Sequence, residues 1–219
     1  MSPARLAQLD PGRPVVEQLR ERVAAMERRP AADRVPTLAG LTDIMPLHSG
    51  ATYAVDSASL ALAVAAGASR AGEWVGFAGC RDFGAEAAAE LGIELSRTVV
   101  VPDPGEHWLE VTAALVDVLR VVVLRPPASV DERTASVLDS RLRNRSAVLV
   151  VHGRWPRVEA RLSTDASAWS GPTAGAGQLE QRRATVVVHR GGRPRQRVDL
   201  SWPGVHRVDR QQDVRRSTG

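Results

Sequence analysis

The residues best placed for chemistry in this sequence lie in the turn Asp56-Ser57. This turn follows a short apolar stretch at 51–55 and precedes a helical stretch at 57–70, after which a second apolar stretch begins at Trp74. A strand, a turn, a helix and a second strand form the unit that carries the phosphate loop in nucleotide-binding proteins. Here the turn contains an acid and no glycine. All 29 basic residues are arginines, which excludes a phosphate-loop lysine, a Schiff-base lysine and a lysine general base.

Other residues with reactive side chains form no catalytic pattern. Asp82 and Asp103 lack a second carboxylate at a useful spacing, and Ser49 and Ser57 lack the context of a nucleophile elbow. The single Cys80 excludes an internal disulfide and a cysteine-cluster metal site, and it favours a reducing compartment. The histidines show no metal-ligand spacing; they are His48, His107, His152, His189 and His206. We therefore expect no catalytic residue, no cofactor and no metal.

The composition is that of one medium-sized globular domain with appendages. The chain has 219 residues, 43% of them hydrophobic, and a net charge of +4 that permits nucleic-acid contact without indicating it. The first 30 residues are charged throughout, which is not typical of a signal peptide. No apolar run approaches the roughly 20 residues that a membrane span needs. We expect a soluble, cytoplasmic protein that does not contact a membrane.

Short apolar stretches alternate with helical patterns from residue 47 to about residue 151. The apolar runs at 98–101, 121–124 and 148–151 are continuous, as expected of parallel strands that helices cover on both faces. The pattern predicts an open α/β sheet, whose ligands usually bind at the carboxyl ends of the strands. The predicted strands are 52–55, 74–79, 98–102, 120–125 and 147–152, and the predicted helices are 57–70, 84–91, 105–118 and 129–143.

The regions on either side of this alternating segment have different patterns. After residue 152, strands at 158–165, 184–189 and 196–202 predict an antiparallel extension, with a flexible loop at 171–177 and a hairpin turn at Gly191-Gly192. Before it, Pro14 to Arg28 is a candidate helix that packs either on its own core or on another subunit. The predicted organisation is an N-terminal helical arm and linker (1–36), a core (37–204) and an Arg-rich, disordered tail (205–219).

Several sequence runs, taken together, carry a resemblance to a known family. Ser57 to Val64 with Ala71-Gly72, and the run from Leu91 to Leu124, resemble the core of RecA-type recombinases in order and spacing. The resemblance covers roughly residues 35–202. More closely, the chain is similar to the RecA-like ImuA-type proteins of actinobacteria, often called ImuA-prime. Three segments carry that closer likeness: Asp103-Pro-Gly-Glu106, Leu124-Arg-Pro-Pro127 and Ala87-Ala-Ala-Glu-Leu-Gly92.

The resemblance implies a RecA-like three-layer core with degenerate nucleotide-binding positions. The Gly-Lys pair of the phosphate loop falls at Asp56-Ser57, where we expect the Asp56 carboxylate to cap the following helix. The catalytic glutamate falls near Cys80 or Arg81, and the Walker B aspartate falls at Arg125, whose guanidinium cannot bind a cation. Because three parts of the phosphoryl-transfer machinery are missing, the resemblance implies a protein that is not an enzyme.

The resemblance also implies a role in damage-induced mutagenesis. ImuA-type proteins accompany ImuB, an inactive Y-family polymerase homologue, and through it an error-prone C-family polymerase and the sliding clamp. We therefore expect a non-catalytic adaptor in translesion DNA synthesis, part of the SOS response, that docks on ImuB. The docking surface carried over from the recombinases comprises Val75, Phe77, Val99, Val101, Trp108, Thr112 and Leu115.

Two alternatives stay open at the level of sequence. Each residue of that docking set, taken singly, suits an ordinary hydrophobic core. The chain is alternatively a DNA-binding accessory protein that uses the arginines between Arg182 and Arg216 and the turn Gly153-Arg-Trp-Pro-Arg157. In that turn, Trp155 either stacks on nucleic acid or covers the sheet.

Overall fold

One large mixed sheet organises the part of the chain that the computed structural model describes, residues 33–171, 181–202 and 205–208. The predicted helix at 14–28, nearly all of the predicted arm (1–36), the predicted loop from residue 172 onward and residues 209–219 lie outside these described residues. The predicted division of the chain at residues 36 and 204 stays a prediction.

The strands and helices follow one another in an order close to the predicted one. The strands are β1 (Arg34–Val35), β2 (Leu47–His48), β3 (Thr52–Val55), β4 (Val75–Ala78), β5 (Thr98–Val101), β6 (Val121–Leu124), β7 (Val148–His152), β8 (Ala160–Ser170), β9 (Gln181–His189), β10 (Gln196–Trp202) and β11 (His206–Arg207). The helices are α1 (Ala39–Thr42), α2 (Ala58–Arg70), α3 (Ala85–Glu90), α4 (Trp108–Val118) and α5 (Glu132–Arg145).

Nine of these strands form the main sheet, in the order β11-β10-β9-β8-β3-β7-β6-β4-β5. The pairs from β8 across to β5 are all parallel, whereas β8-β9, β9-β10 and β10-β11 are antiparallel. This confirms the predicted α/β class, with a mostly parallel sheet and an antiparallel C-terminal extension. The first parallel strand, β3, lies between the fifth and the sixth, so the order differs from those of Rossmann and flavodoxin-like sheets.

Two hydrophobic clusters cover opposite faces of the sheet. On β6, Val121 and Val123 belong to the cluster beneath α2, while Val122 and Leu124 belong to the cluster beneath α4 and α5. Side chains alternate between faces along a strand, so a strand covered on both faces must be apolar throughout. The continuous runs of valine and leucine in the sequence have this cause.

Helix α2 is the most deeply buried helix of the described part of the chain. All ten residues from Leu60 to Ser69 are buried, because the helix packs against the sheet on one side and the segment before β2 on another. Its Ala-rich sequence has high helix propensity and occupies little space. At Gly67 the backbone of Thr37 approaches so closely that a Cβ would lie 2.3 Å from the Thr37 Cα. A glycine is therefore needed at this crossing.

The C-terminal strands are longer than the sequence pattern predicted. Strand β8 runs to Ser170 rather than to residue 165, and β9 begins at Gln181 rather than at residue 184. The outer half of β8, residues 165–170, is exposed and pairs with the start of β9, whose Arg182 and Arg183 pair in turn with β10. The mixed residue types there give no apolar alternation for the sequence to show. Strand β11 lies at the start of the range predicted as a disordered tail, and the preceding Val205 is buried.

Candidate functional site

The carboxyl ends of β3, β4 and β6 bring the predicted nucleotide-site positions to one edge of the sheet. Asp56 follows β3, residues 79–82 follow β4, and Arg125 follows β6. Strands β4 and β6 are neighbours, and the helices that follow them, α3 and α5, pack on opposite faces of the sheet. Ligands of open α/β sheets bind where the chain diverges in this way.

At the end of β3, the carboxylate of Asp56 bonds to another strand rather than to the helix that follows it. Its Oδ2 accepts a hydrogen bond from the backbone N–H of Thr164 in β8, at 2.7 Å. The N-cap of α2 is instead Ser57, whose Oγ accepts from the N–H of Leu60 at 3.4 Å. The expectation that Asp56 caps α2 is therefore wrong. The register of β8 shifts between Thr164 and Ala166, and a shift of this kind leaves backbone groups outside the ladder, free to bond to a side chain.

The side chain of Arg125 is held by an acid from the neighbouring loop. Its Nη1 donates to both carboxylate oxygens of Asp82, at 3.0 and 3.2 Å. The two loops touch closely, because a Cβ on Gly79 would lie 2.2 Å from the carbonyl oxygen of Arg125. Gly79 also has a φ of +73°, which a residue with a side chain rarely adopts. At the edge where the resemblance places magnesium ligands, the described residues thus form an internal ion pair.

A second ion pair lies beside the first. Arg81 Nη2 donates to Asp103 Oδ2 at 2.7 Å, which joins the loop after β4 to the loop after β5. This hydrogen bond is the main cause that lowers the pKa of Asp103. The pKa of Asp82 is lowered chiefly by a hydrogen bond from its own backbone N–H, and further by Arg125. Both carboxylates are therefore ionised at neutral pH, and neither suits the role of a general acid.

Cys80, next to these ion pairs, is buried and protonated. The pKa of its thiol is raised to about 11, chiefly by burial and also by the negative charge of Asp82, while Arg125 opposes the shift. The thiol donates a hydrogen bond to the carbonyl oxygen of Ala78, with 3.7 Å between Sγ and that oxygen. Because the thiolate is the nucleophilic form of cysteine, Cys80 is inert at neutral pH.

The charges at the carboxyl edge are thus largely neutralised by one another. Each of the two arginines named above has an aspartate partner, and the Asp56 carboxylate lies near the start of α2, where it opposes an incoming phosphate. Within residues 33–171, 181–202 and 205–208, no group of three His, Cys, Asp or Glu side chains is arranged to hold a metal ion. The geometry gives this edge a structural role, in which it ties neighbouring loops together.

A family model matches the chain over the segment that contains this edge. The model is that of the MT3502 N-terminal domain, and it matches residues 40–157, more than half of the chain. The chain belongs to the MT3502 N-terminal domain family. The matched segment runs from α1 to the turn that contains Trp155, so it ends before β8 and the antiparallel extension.

A mycobacterial relative extends the similarity beyond the MT3502 N-terminal domain. The chain is 30% identical over 193 residues to the uncharacterized protein Rv3395c of Mycobacterium tuberculosis H37Rv. The alignment covers 81% of this chain and 93% of the mycobacterial protein. The similarity therefore extends beyond residues 40–157, the segment that the family model matches, and it covers most of both chains.

Within the MT3502 N-terminal domain, five residues of the predicted docking set lie on the sheet face that α4 and α5 cover. Val99 and Val101 lie on β5, the edge strand of the sheet, and Trp108 lies at the start of α4; all three are partly buried and pack against the same cluster. Thr112 and Leu115 are buried beneath them. The Thr112 hydroxyl donates to the carbonyl oxygen of Trp108 at 2.6 Å, which holds it within the helix.

The other two members of the predicted docking set do not share this surface. Val75 and Phe77 project from β4 into the opposite cluster, beneath α2, and both are buried. The ring of Phe77 packs against that of Phe83 with centroids 4.7 Å apart. The structure therefore does not place Val75 and Phe77 on one surface with Trp108. The two residues alternate with Gly76, whose missing side chain leaves room for Leu119 and Leu115 on the α4 side.

Some partly exposed apolar residues near β5 and α4 were not singled out by the sequence, and one residue proposed from sequence to stack on nucleic acid is buried. Leu95, just before β5, is an exposed leucine, and Leu109 and Val111 of α4 are only partly buried. Trp155 is 5% exposed and belongs to the cluster beneath α5, so it covers the sheet and is not available for base stacking. No helix in the described parts of the chain has the length and apolar character required to cross a membrane.

Proposed function

We propose that this chain is a non-catalytic, RecA-like adaptor of the ImuA type, which docks on ImuB in an error-prone translesion assembly. The observation that carries the proposal is the half-exposed apolar edge formed by β5 and the start of α4. Through ImuB, the adaptor serves a C-family polymerase and the sliding clamp in damage-induced mutagenesis. A cytoplasmic location is part of the same proposal.

The filled carboxyl edge supports the non-catalytic half of the proposal. Phosphate binding at a helix N-terminus requires free backbone amides and a compensating cation. Here Ser57 occupies the N-terminus of α2 as its cap, and Asp56 adds a negative charge close by. The arginine at the Walker B position is engaged by Asp82. The edge would have to lose these internal bonds before a triphosphate could enter.

The free edge of the sheet supports the docking half of the proposal. Strand β5 pairs with β4 on one side only, within the described residues, and all four of its side chains are partly exposed. Exposed edge strands with apolar side chains are usually blocked by charges, prolines or bulges, because they otherwise pair with another chain. Thr98 to Val101 has none of these protections. An extended segment of ImuB could add to this edge by backbone hydrogen bonds.

The indole of Trp108 supplies the side-chain anchor beside that edge. Tryptophan is a frequent hot-spot residue at protein interfaces, because it buries a large apolar area with little loss of conformational entropy. Trp108 is partly buried and packs against the cluster beneath α4 and α5, as do Val99, Val101 and Val111. A partner strand on β5 would cover the part of this indole that solvent now reaches.

Co-purification with ImuB tests the docking proposal. We expect Trp108→Glu to lower retention of ImuB by about tenfold or more, since loss of a hot-spot residue typically costs about 2 kcal/mol or more. The matched control is Val118→Glu on the same helix, where the side chain is 76% exposed and a charge is tolerated. Leu115→Glu is unsuitable, because Leu115 is buried and the variant would lose its fold.

Two results of this experiment would contradict the proposal. If Trp108→Glu unfolds at the same temperature as Val118→Glu and retains as much ImuB as the unchanged chain, the docking surface lies elsewhere. If the unchanged chain fails to retain ImuB at all, the adaptor role is wrong.

A further inference from the structure

The ribbon formed by the outer halves of β8 and β9 carries an exposed tryptophan that nothing in the core requires. Every residue from Asp165 to Ser170 is exposed, and the Trp169 side chain is 57% exposed. A large aromatic side chain left in solvent near the end of a β-ribbon loses hydrophobic stabilisation without a folding benefit. Such residues on otherwise polar surfaces are typical of contact sites.

Trp169 belongs to a row of three side chains across neighbouring strands. In the register of the sheet, Trp169 of β8 lies opposite Arg182 of β9, which lies opposite Trp202 of β10. The Arg182 guanidinium carbon lies 6.0 Å from the Trp169 ring centre and 5.5 Å from the Trp202 ring centre. Cation–π attraction at these distances favours a fixed arrangement of the three groups.

A hydrogen bond to the core fixes the middle of this row. Nη1 of Arg182 donates to Oγ of Ser59, in the first turn of α2, at 2.8 Å. At the β10 end of the row, Trp202 is buried. The exposed ring of Trp169 is therefore supported by a guanidinium that is itself anchored, so Trp169 offers a preorganised aromatic surface to solvent.

The surrounding extension is strongly basic. Residues 160–171 and 181–202 contain seven arginines and two aspartates. One of these acids, Asp165, is paired with Arg197 at 3.0 Å. Of the arginines, Arg193, Arg195 and Arg197 are exposed, and they lie at or near the β9–β10 turn, at the opposite end of this hairpin from Arg182 and Trp202. An excess of this size on one set of strands creates a positive field that attracts polyanions.

We infer that this ribbon is a contact site for single-stranded nucleic acid, in which a base stacks on Trp169 and the arginines of the extension attract the backbone phosphates. Stacking on an aromatic ring within a basic surface is the general means by which proteins hold single strands without reading their sequence. The basic surface favours nucleic acid over an apolar protein segment. The inference does not depend on docking at β5, which lies five strands away in the sheet.

Fluorescence anisotropy with labelled oligonucleotides tests the inference on the full chain. The probes are a deoxythymidine 20-mer and a uridine 20-mer, which separate DNA from RNA, with a 20-base-pair duplex as a third arm. We expect a single strand to bind, and Trp169→Ala to weaken that binding by about tenfold, within the range measured for loss of one stacked base. Trp169→Phe should keep most of the affinity, because it keeps an aromatic face.

The matched control is Trp74→Ala. Trp74 is 48% exposed, so this substitution removes an indole whose exposure is similar to that of Trp169. Trp74 lies just before β4, away from the ribbon. Affinity should fall as salt rises for the unchanged chain and with the same slope for Trp169→Ala, since that variant keeps every phosphate contact.

Three results would overturn the inference. The first is no binding of either single strand at low salt by the folded chain. The second is equal weakening by Trp74→Ala and Trp169→Ala, or none by Trp169→Ala. The third is a Trp169→Ala variant that binds oligonucleotides normally but loses a protein partner, which would make the ribbon a protein contact instead.

Discussion

At the carboxyl edge of the sheet, the charged side chains already have partners within the fold. A turn without lysine could still offer backbone amides to an anion. Asp56 instead bonds to β8, and Arg125 pairs with Asp82, so both side chains have partners within the fold. The ion pairs are exposed, and exposed pairs contribute little to stability. Their effect is to fill the edge with matched charges.

Cys80 gives a residue-scale prediction about pH. Its pKa rises from an ordinary 9.0 to about 11 in the fold, chiefly through burial. A raised pKa means that the folded state favours the neutral thiol, so this contribution to stability is complete below pH 9 and is lost as pH rises through about 11. We expect iodoacetamide to label the folded chain slowly at pH 8 and much faster as pH approaches 11.

Labelling in urea supplies the comparison, because the unfolded thiol should react at the rate of an ordinary cysteine. Cys80→Ser should show no labelling in either state, which confirms the site of reaction. Equal rates in the folded and urea-unfolded chains at pH 8 would show that Cys80 is not shielded.

At the scale of elements, helix α2 is buried along most of its length and packs more closely on neighbouring backbone than its sequence indicates. Replacement of glycine by alanine within a helix usually stabilises it by about 1 kcal/mol. At Gly67 the added Cβ would lie 2.3 and 2.4 Å from backbone atoms of Thr37. We therefore expect Gly67→Ala to reverse the usual sign and destabilise the fold by about 1–3 kcal/mol in urea titrations.

Gly191→Ala is the control for that measurement. Gly191 lies in the β9–β10 turn, and an added Cβ there meets nothing within 4 Å. Its effect should stay within about 0.5 kcal/mol, as for most surface substitutions. If Gly67→Ala proves as stable as the unchanged chain, the close crossing of α2 and the segment before β2 is incorrect.

The elements of the parallel sheet could be predicted from sequence, but their places in it could not. The continuous runs at β5, β6 and β7 indicate strands with apolar faces on both sides, and the structure confirms all three. The sequence Thr98-Val-Val-Val does not show that β5 is an edge strand, because edge position depends on the order of distant strands. The docking set implied by the resemblance joins Val75 and Phe77 with Trp108, but the structure places the two β4 side chains on the opposite face of the sheet.

At the scale of the whole molecule, the two proposed contact surfaces lie at different strands of one sheet. The edge strand β5 and Trp108 lie on one side, and the basic extension with Trp169 lies on the other, with four parallel strands between β5 and β8. An adaptor needs such separation, because two partners can then bind at once. The carboxyl edge lies between the two surfaces, and its ion pairs tie neighbouring loops together.

Hydrogen exchange of the β5 amides, measured with and without saturating ImuB, tests the docking claim most directly. If a partner strand adds to the edge, the amides of Val99 to Val101 that face solvent gain hydrogen-bond acceptors, and their exchange should slow by about tenfold or more. The amides of the ribbon at 165–170 should keep their rates. Unchanged exchange throughout β5 in a complex that demonstrably forms would contradict the claim that this edge receives the partner.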